Sequence, residues 1–456
     1  MALSTIPAYD SDRVNRHGGH AVVVGAGIAG LVAARVVADA YDTVTLIERD
    51  ALSSVPRHRD GCPQGVPANV LWESCRTVLE AFFPGLEDEL VDHGAVRVDL
   101  AVDGRFVCRG GDLAPGRERH QLVSVSRPLL EHVLRSRLTE RDDVHVRSSC
   151  HCVGYLIPDG TSIAGVSLQD ESTGPSTMTA DLVVDATGCA SQTPGWLAAH
   201  GFPEPPLEEV PINLVSASAI IDRPPSARGM ISVWPTAPHA RGAMVVPVER
   251  DRWQVTLFGV TGDHPPVEPS LFAQFATDLP TPRVDTLLDR HPLIRPDIVC
   301  HRGSAPRRRR YEAIDRVPNG LAVIGDAVAS YDPRYGQGTA ATALQALQLH
   351  HALAGAGFDP STYYRRVAAV VDVAWMLTPP GEFCAARTSG PPLRTRALTT
   401  WYLDRMLRRA HHDGRLTDAF LAVASLREPP QTLARPAVAR RVLAPQLSVP
   451  RPASFL

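Results

Sequence analysis

The run His20-Ala-Val-Val-Val-Gly25-Ala-Gly27-Ile28-Ala29-Gly30, continued by Leu31-Val-Ala-Ala-Arg-Val-Val-Ala38 and closed by Thr43-Val-Thr-Leu-Ile-Glu48-Arg49, decides the fold. A short β-branched run reads as a buried strand, and a G-x-G-x-x-G turn follows it at once. The small-residue segment after the turn is a helix able to lie close on a sheet. The three glycines serve different ends. Gly25 makes the tight turn, Gly27 lets a phosphate approach the backbone, and Gly30 lets helix and strand touch. The free amides at the helix start, added to the helix dipole, suit a pyrophosphate. Glu48 ends a second strand about 20 residues after the turn, where an acid bonds the ribose hydroxyls of an adenine dinucleotide. Arg49 follows it. The pattern predicts a Rossmann-like dinucleotide fold.

A second half-site lies far along the chain. Leu321-Ala-Val-Ile-Gly325-Asp326 is again an apolar strand, this one ending in an acid. After Pro333 and Gly336-Gln337-Gly338 a long helix is expected over 339–353. Asp326 can bond ribitol hydroxyls, and the amides of Gly336–Gly338 can face a flavin ring that gains negative charge on reduction. These two half-sites favour FAD over NAD. A third apolar strand, Asp181-Leu-Val-Val-Asp185, runs into Ala-Thr-Gly188.

Between these motifs the pattern changes. Residues 212–260 alternate with period two, and Ala243–Val248 and Trp253–Phe258 read as a hairpin around Glu249-Arg-Asp251. This β-rich unit carries the large apolar side chains Ile231, Val233, Trp234, Met244, Val246 and Phe258, which are the expected wall of an apolar substrate pocket. Helical spacing predicts helices over Val70–Phe83, Leu129–Leu138, Thr362–Leu377 and Ala397–Ala410, with a proline-containing tail to residue 456. The expected organisation is a loose arm (1–18), a discontinuous FAD-binding domain of glutathione-reductase type (19–60, 120–200 and 300–356), and an interleaved β-rich substrate domain (61–119 and 201–299). A C-terminal helical region, 357–456, completes the α/β chain.

Composition narrows the function. The net charge of −3 and the 44% hydrophobic content are those of an ordinary globular protein and make no electrostatic case for nucleic acid or an anionic membrane. All 46 basic residues are arginine, so lysine chemistry, including lysine-dependent halogenation, is excluded. The eight cysteines form no framework. His145, Cys150, His151 and Cys152 lack zinc spacing and a fourth ligand, so no metal is expected. No run is long and apolar enough to span a membrane, and the polar first 17 residues lack a signal-peptide core. The expectation is a cytoplasmic protein. The Arg307-Arg-Arg-Arg310 run is either a solvated face or part of ion pairs in the body of the fold.

Taken together, Gly25–Gly30 with Glu48, Ser126-Arg127 before a helix, Asp185-Ala-Thr-Gly188, and Gly325-Asp326 with Pro333 and Gly336-Gln337-Gly338 resemble FAD-dependent aromatic hydroxylases and squalene-type epoxidases. The chain is most similar to the epoxidases of polyether ionophore pathways, of monensin and lasalocid type. Pro63-Gln64, Ser126-Arg127-Pro128-Leu-Leu130 and Asp372-Val-Ala-Trp375 match motifs of that group. The resemblance implies that Glu48 holds the adenosine ribose, Arg127 lies near the phosphate or ribitol, Asp326 holds the ribitol, and Pro333 and Gly336–Gly338 border the isoalloxazine. It places Arg59 and Gln64 on the loop that passes the flavin. Pro67 and Asn69 stand where such relatives often carry histidines.

The implied activity is a monooxygenase, with O₂ activated on non-covalent FAD reduced by NADPH or NADH. It would epoxidise or hydroxylate an olefinic polyketide-type molecule, and no side-chain acid or base is required. No second G-x-G-x-x-G is present for the nicotinamide, which leaves either a transient visit or a separate reductase. A non-redox FAD-containing cyclase acting on a polyene and a flavin-dependent reductase remain as rival activities on the same fold.

Overall fold

The computed structural model describes all residues except 60, 63–67, 171, 237–239, 261, 295–296, 304, 356, 378–392 and 445–456. The β-branched run before the glycines forms Gly18–Val24, the middle strand of a five-stranded parallel sheet. Its order is Leu321–Val323, Leu182–Asp185, Gly18–Val24, Tyr41–Ile47, Val144–Arg147. Val22 and Val23 are fully buried, as expected for a parallel strand covered on both faces. Helix Ile28–Val37 packs against the long helix Gln337–Leu353 and against Arg127–Thr139. Register does the rest: Val24 pairs with Asp185 and with Ile47, and Asp185 pairs with Val323. Three motifs remote in sequence therefore leave the sheet at one edge, where ligands of open α/β sheets bind.

The alternating segments form a seven-stranded sheet ordered Val299–Arg302, Leu214–Asp222, Arg252–Val260, Arg241–Val248, Met230–Val233, Gly104–Cys108, Gly111–Asp112. Its outer face, with Ala217, Val233, Val245 and Leu257, packs under Phe272 and Phe275 of helix Pro269–Thr277 and under Val284. Its inner face joins the main core through Met230, Met244, Val246, Phe258 and Val260. That face also carries Ser216, Ser218, Ser232, Gln254 and Thr256, all buried.

Several expectations are corrected. Residues 1–18 are not loose: Ala2 and Ile6 are buried, Leu3 donates its amide to Leu426 O at 2.9 Å, and the Tyr9 ring packs edge-on against Phe82. The helix predicted from Val70 begins at Glu73, because Val70–Leu71 pairs with Val123 and Ser124 as a strand. Residues 144–156 form two strands, Val144–Arg147 and Cys150–Leu156, broken where Ser149 takes a φ of 54°. The expected tail contains a largely buried helix, Gly414–Ala424. The arginine run is neither bare nor uniform: Arg308 is buried between Glu312 and Asp372, and Arg307, Arg309 and Arg310 pair with Glu209, Glu204 and Glu208. Among the described residues no helix is long and apolar enough to cross a membrane.

Candidate functional site

The glycine turn is built as its spacing requires. Gly25 has φ +101°, and a Cβ there would lie 2.6 Å from Ala186 O. A Cβ on Gly30 would lie 1.6 Å from Gly25 O, so helix and strand meet backbone to backbone. Gly27 differs from both. A Cβ there meets only two guanidinium tips, Arg127 Nη2 at 3.8 Å and Arg59 Nη2 at 4.0 Å. Backbone amides at a helix start, the dipole and two converging guanidiniums make a cradle that fits a pyrophosphate.

The charges around this cradle are fixed from below. Glu48, 6% exposed, accepts the Ala26 amide at 2.7 Å and the Asp50 amide at 3.0 Å, and lies 3.0 Å from Arg59 Nη1. Arg59 also binds Glu131 at 2.8 Å and Ala26 O at 3.3 Å, and Arg127 binds the other Glu131 oxygen at 2.9 Å. Burial works against ionisation of Glu131, but the Arg127 and Arg59 charges outweigh it and hold the carboxyl below its usual range. Desolvation opposes the charge of both arginines, yet Glu131 and Glu48 raise Arg59, and Cys62 and Glu131 raise Arg127.

At the neighbouring strand end Asp185, fully buried, accepts the Thr187 amide and hydroxyl and the hydroxyls of Ser191 and Thr193. That network folds the 187–193 loop and sets Cys189 Sγ 4.0 Å from Asp326 Oδ2. Burial pushes the Asp326 carboxyl up, with Arg127 pulling it partly back.

The second half-site turns on Gly336, in the left-handed region with φ +63°, which begins helix Gln337–Leu353. Its corner is held by Trp72, whose Nε1 donates to Tyr335 O at 3.2 Å, and by the buried Asp332–Arg334 ion pair. Asn69 donates to Val125 O at 3.3 Å and accepts from Thr339 at 3.5 Å. It stands beside the first turn of that helix.

All these elements surround one cavity of about 980 Å³. Gly25, Gly27, Ile28, Ala29, Glu48, Arg49, Arg59, Arg127, Asp326, Pro333, Gly336 and Gly338 line it. Gly30 does not, since it packs against the turn, and the Gln337 side chain points away to donate to Ala424 O at 2.9 Å. Gln64 and Pro67 lie outside the described residues.

The expected pocket wall needs correction. Ile231 and Val233 pair with Val245 and Ala243 on the outer face, beneath helix Pro269–Thr277. Met244, Val246 and Phe258 are on the inner face, and Trp234 packs against Tyr335 and Phe420, but none of the six lines the large cavity. Instead the inner face meets the approach to the cavity with hydroxyls: Thr256 accepts the Ala68 amide at 3.2 Å and bonds Ser218 at 2.9 Å. His301, which lines the cavity, is pushed down from its ordinary pKa by burial.

Sequence reasoning missed Glu131, Cys189, Trp72 and Thr339. Only Glu131 had a readable signal, its i,i+4 spacing from Arg127. Among the described residues no group of three His, Cys, Asp or Glu is placed to hold a metal ion.

Comparison with known proteins accords with this geometry. The chain is 30% identical over 437 residues to Protein Rv3254 of Mycobacterium tuberculosis, covering 91% of each chain. Its fold is similar to a flavoprotein/dehydrogenase from Cytophaga hutchinsonii, at 14% identity and TM-score 0.64, covering 90% of this chain and 93% of that one. It is also similar to the p-nitrophenol 4-monooxygenase PnpA from Pseudomonas putida, at 18% identity and TM-score 0.60, covering 91% and 98%. The family described as FAD binding domain matches residues 20–356, and the chain belongs to that family.

Proposed function

We propose that this chain is an FAD-dependent monooxygenase, with NADPH or NADH as reductant, that places one oxygen atom of O₂ on an electron-rich carbon of a neutral small molecule. The preferred substrate is an olefin of polyketide type, which it epoxidises or hydroxylates. The observation that carries this reading is the start of helix Gln337–Leu353, opening beside Pro333 and Gly336 into the cavity that also contains the Gly27 cradle. Amides and dipole at that helix start stabilise negative charge on a reduced flavin ring. Bound FAD supplies the oxygen activation, while the protein orients it and excludes water.

The chain's own residues divide the work. Arg59 and Arg127 would hold the phosphates, Glu48 the ribose, and Asp326 the ribitol. Trp72 and the Asp332–Arg334 pair fix the loop at the ring. At the approach to the cavity the described residues of the sheet's inner face present the hydroxyls of Ser218 and Thr256 rather than a charge, which favours a neutral substrate over a phenolate or carboxylate. Electrons would come from a nicotinamide visiting transiently or from a separate reductase.

A second reading, a non-redox cyclase that uses the FAD-lined pocket as a shape, draws support from Asn69, which cannot change charge. The test is NADPH and O₂ consumption by the purified flavoprotein with and without linear polyene polyketides. Substrate-stimulated, matched consumption supports the monooxygenase. Substrate conversion with no consumption of either contradicts it.

A further inference from the structure

Two guanidiniums side by side in a half-buried cleft repel each other, and each loses water there. Something must hold Arg59 and Arg127 with their tips within 4.0 Å of one point above Gly27. The buried carboxylate of Glu131 does so. It is 5% exposed, and both its oxygens are used: one takes Arg59 Nη2 at 2.8 Å and Nε at 3.3 Å, the other Arg127 Nε at 2.9 Å. Its position follows from the helix, since Ser126 caps Arg127–Thr139 by accepting the Leu129 amide and residue 131 lies one turn after Arg127. Glu48 and Asp50 approach Arg59 at 3.0 and 3.6 Å, but on its Nη1. No hydrogen bond to either reaches Arg127.

We propose that Glu131 is a positioning residue for the cofactor's pyrophosphate, pinning Arg59 and Arg127 in register over the glycine turn. The proposal rests on the FAD-site reading above. The expected sign is the opposite of the simple electrostatic one. Glu131 is an anion beside an anion site, so by charge alone its removal strengthens phosphate binding. By positioning, its removal weakens phosphate binding, because two unpinned arginines repel and turn away.

The experiment titrates flavin-free full-length protein with ADP, which reaches the cradle through its phosphates, and with adenosine, which has none. Wild type, Glu131→Gln and Glu131→Asp are compared by calorimetry. Positioning predicts that Glu131→Gln binds ADP about tenfold more weakly, the scale of one charge-assisted hydrogen bond, while adenosine binding stays within about twofold. Glu131→Asp keeps the charge but is one methylene too short to span both arginines, so it behaves like Glu131→Gln. If Glu131→Gln does not fold, Glu131→Asp decides alone. Equal or tighter ADP binding by Glu131→Gln, or wild-type ADP binding by Glu131→Asp, overturns the proposal. Parallel loss of adenosine and ADP binding in a folded variant overturns it too, as a merely structural role. A wild type that binds neither nucleotide refutes the FAD site itself.

Discussion

Placing the same methyl group at two glycines of one turn separates packing from ligand approach. At Gly30 a new Cβ lies 1.6 Å from Gly25 O and 2.8 Å from Gly25 C. Both atoms are backbone, so helix Ile28–Val37 must lift from the central strand. Alanine gains about 1 kcal/mol of helix propensity over glycine, while overpacking in a close-packed core loses typically about 1–3 kcal/mol and more where backbone must move. The net expectation is a loss of at least about 2 kcal/mol, seen as a fall of several degrees in the melting temperature of flavin-free protein.

At Gly27 the backbone is φ −74°, ψ 179°, open to any residue, and the new Cβ meets only guanidinium tips at 3.8 and 4.0 Å. Gly27→Ala at this N-cap is expected to change stability by less than about 1 kcal/mol. Its effect falls on the ligand, because the methyl group occupies the surface a phosphate must approach. FAD affinity, read by quenching of flavin fluorescence, should fall at least about tenfold, or about 1.4 kcal/mol. Equal melting temperatures for wild type and Gly30→Ala, or an equal fall for both variants, would refute the packing argument.

Other outcomes follow from the same contacts. Trp72→Phe removes the donor to Tyr335 O, a loss of about 1 kcal/mol, and should shift the flavin absorption band and weaken FAD retention a few-fold; an unchanged spectrum counts against a role in setting the loop. Asp326→Ala should leave ribitol hydroxyls unpartnered at about 1–3 kcal/mol and lower FAD retention on gel filtration without lowering the melting temperature of flavin-free protein. His350 is fully buried, its Nε2 accepts the Asp10 amide at 3.3 Å, and burial, helped by His351, pushes its pKa down to about 4. The unfolded chain therefore binds the proton first, so this contribution is whole above about pH 6.5 and is lost as pH falls toward about 4. Melting temperatures between about pH 7.5 and about pH 4.5 should fall more steeply in wild type than in His350→Leu, and identical slopes would show that His350 does not titrate on unfolding.

The dinucleotide half of the molecule is legible in the sequence because its constraints are local. A strand, a three-glycine turn, a helix and a terminal acid follow one another closely, and backbone geometry demands two of the glycines, Gly25 and Gly30, while Gly27 leaves room for a ligand. The union of Asp185, Asp326 and Gly27 at one edge is also foreseeable, since all three follow apolar strands and parallel strands share their C-terminal edge. The pocket wall is not legible. Alternation announces two faces but not which one meets the cavity, so it groups Ile231 and Val233 with Met244 and Val246 although the pleat sends them apart. The order of the first residues depends on contacts between regions far apart in the chain, Leu3 and Ser4 bonding Leu426 and Arg427, which no local pattern encodes. Gln337 is hidden for a related reason: its backbone starts the helix at the cavity, but its side chain anchors that helix to Ala424.

The central claim is oxygen transfer at this site, and isotopic labelling tests it most directly. With ¹⁸O₂, reductant and a linear polyene substrate, the expected product gains one ¹⁸O atom, and gains it only when reductant is present. An isomeric product, formed at the same rate without O₂ or reductant, would contradict oxygen transfer and establish the cyclase reading.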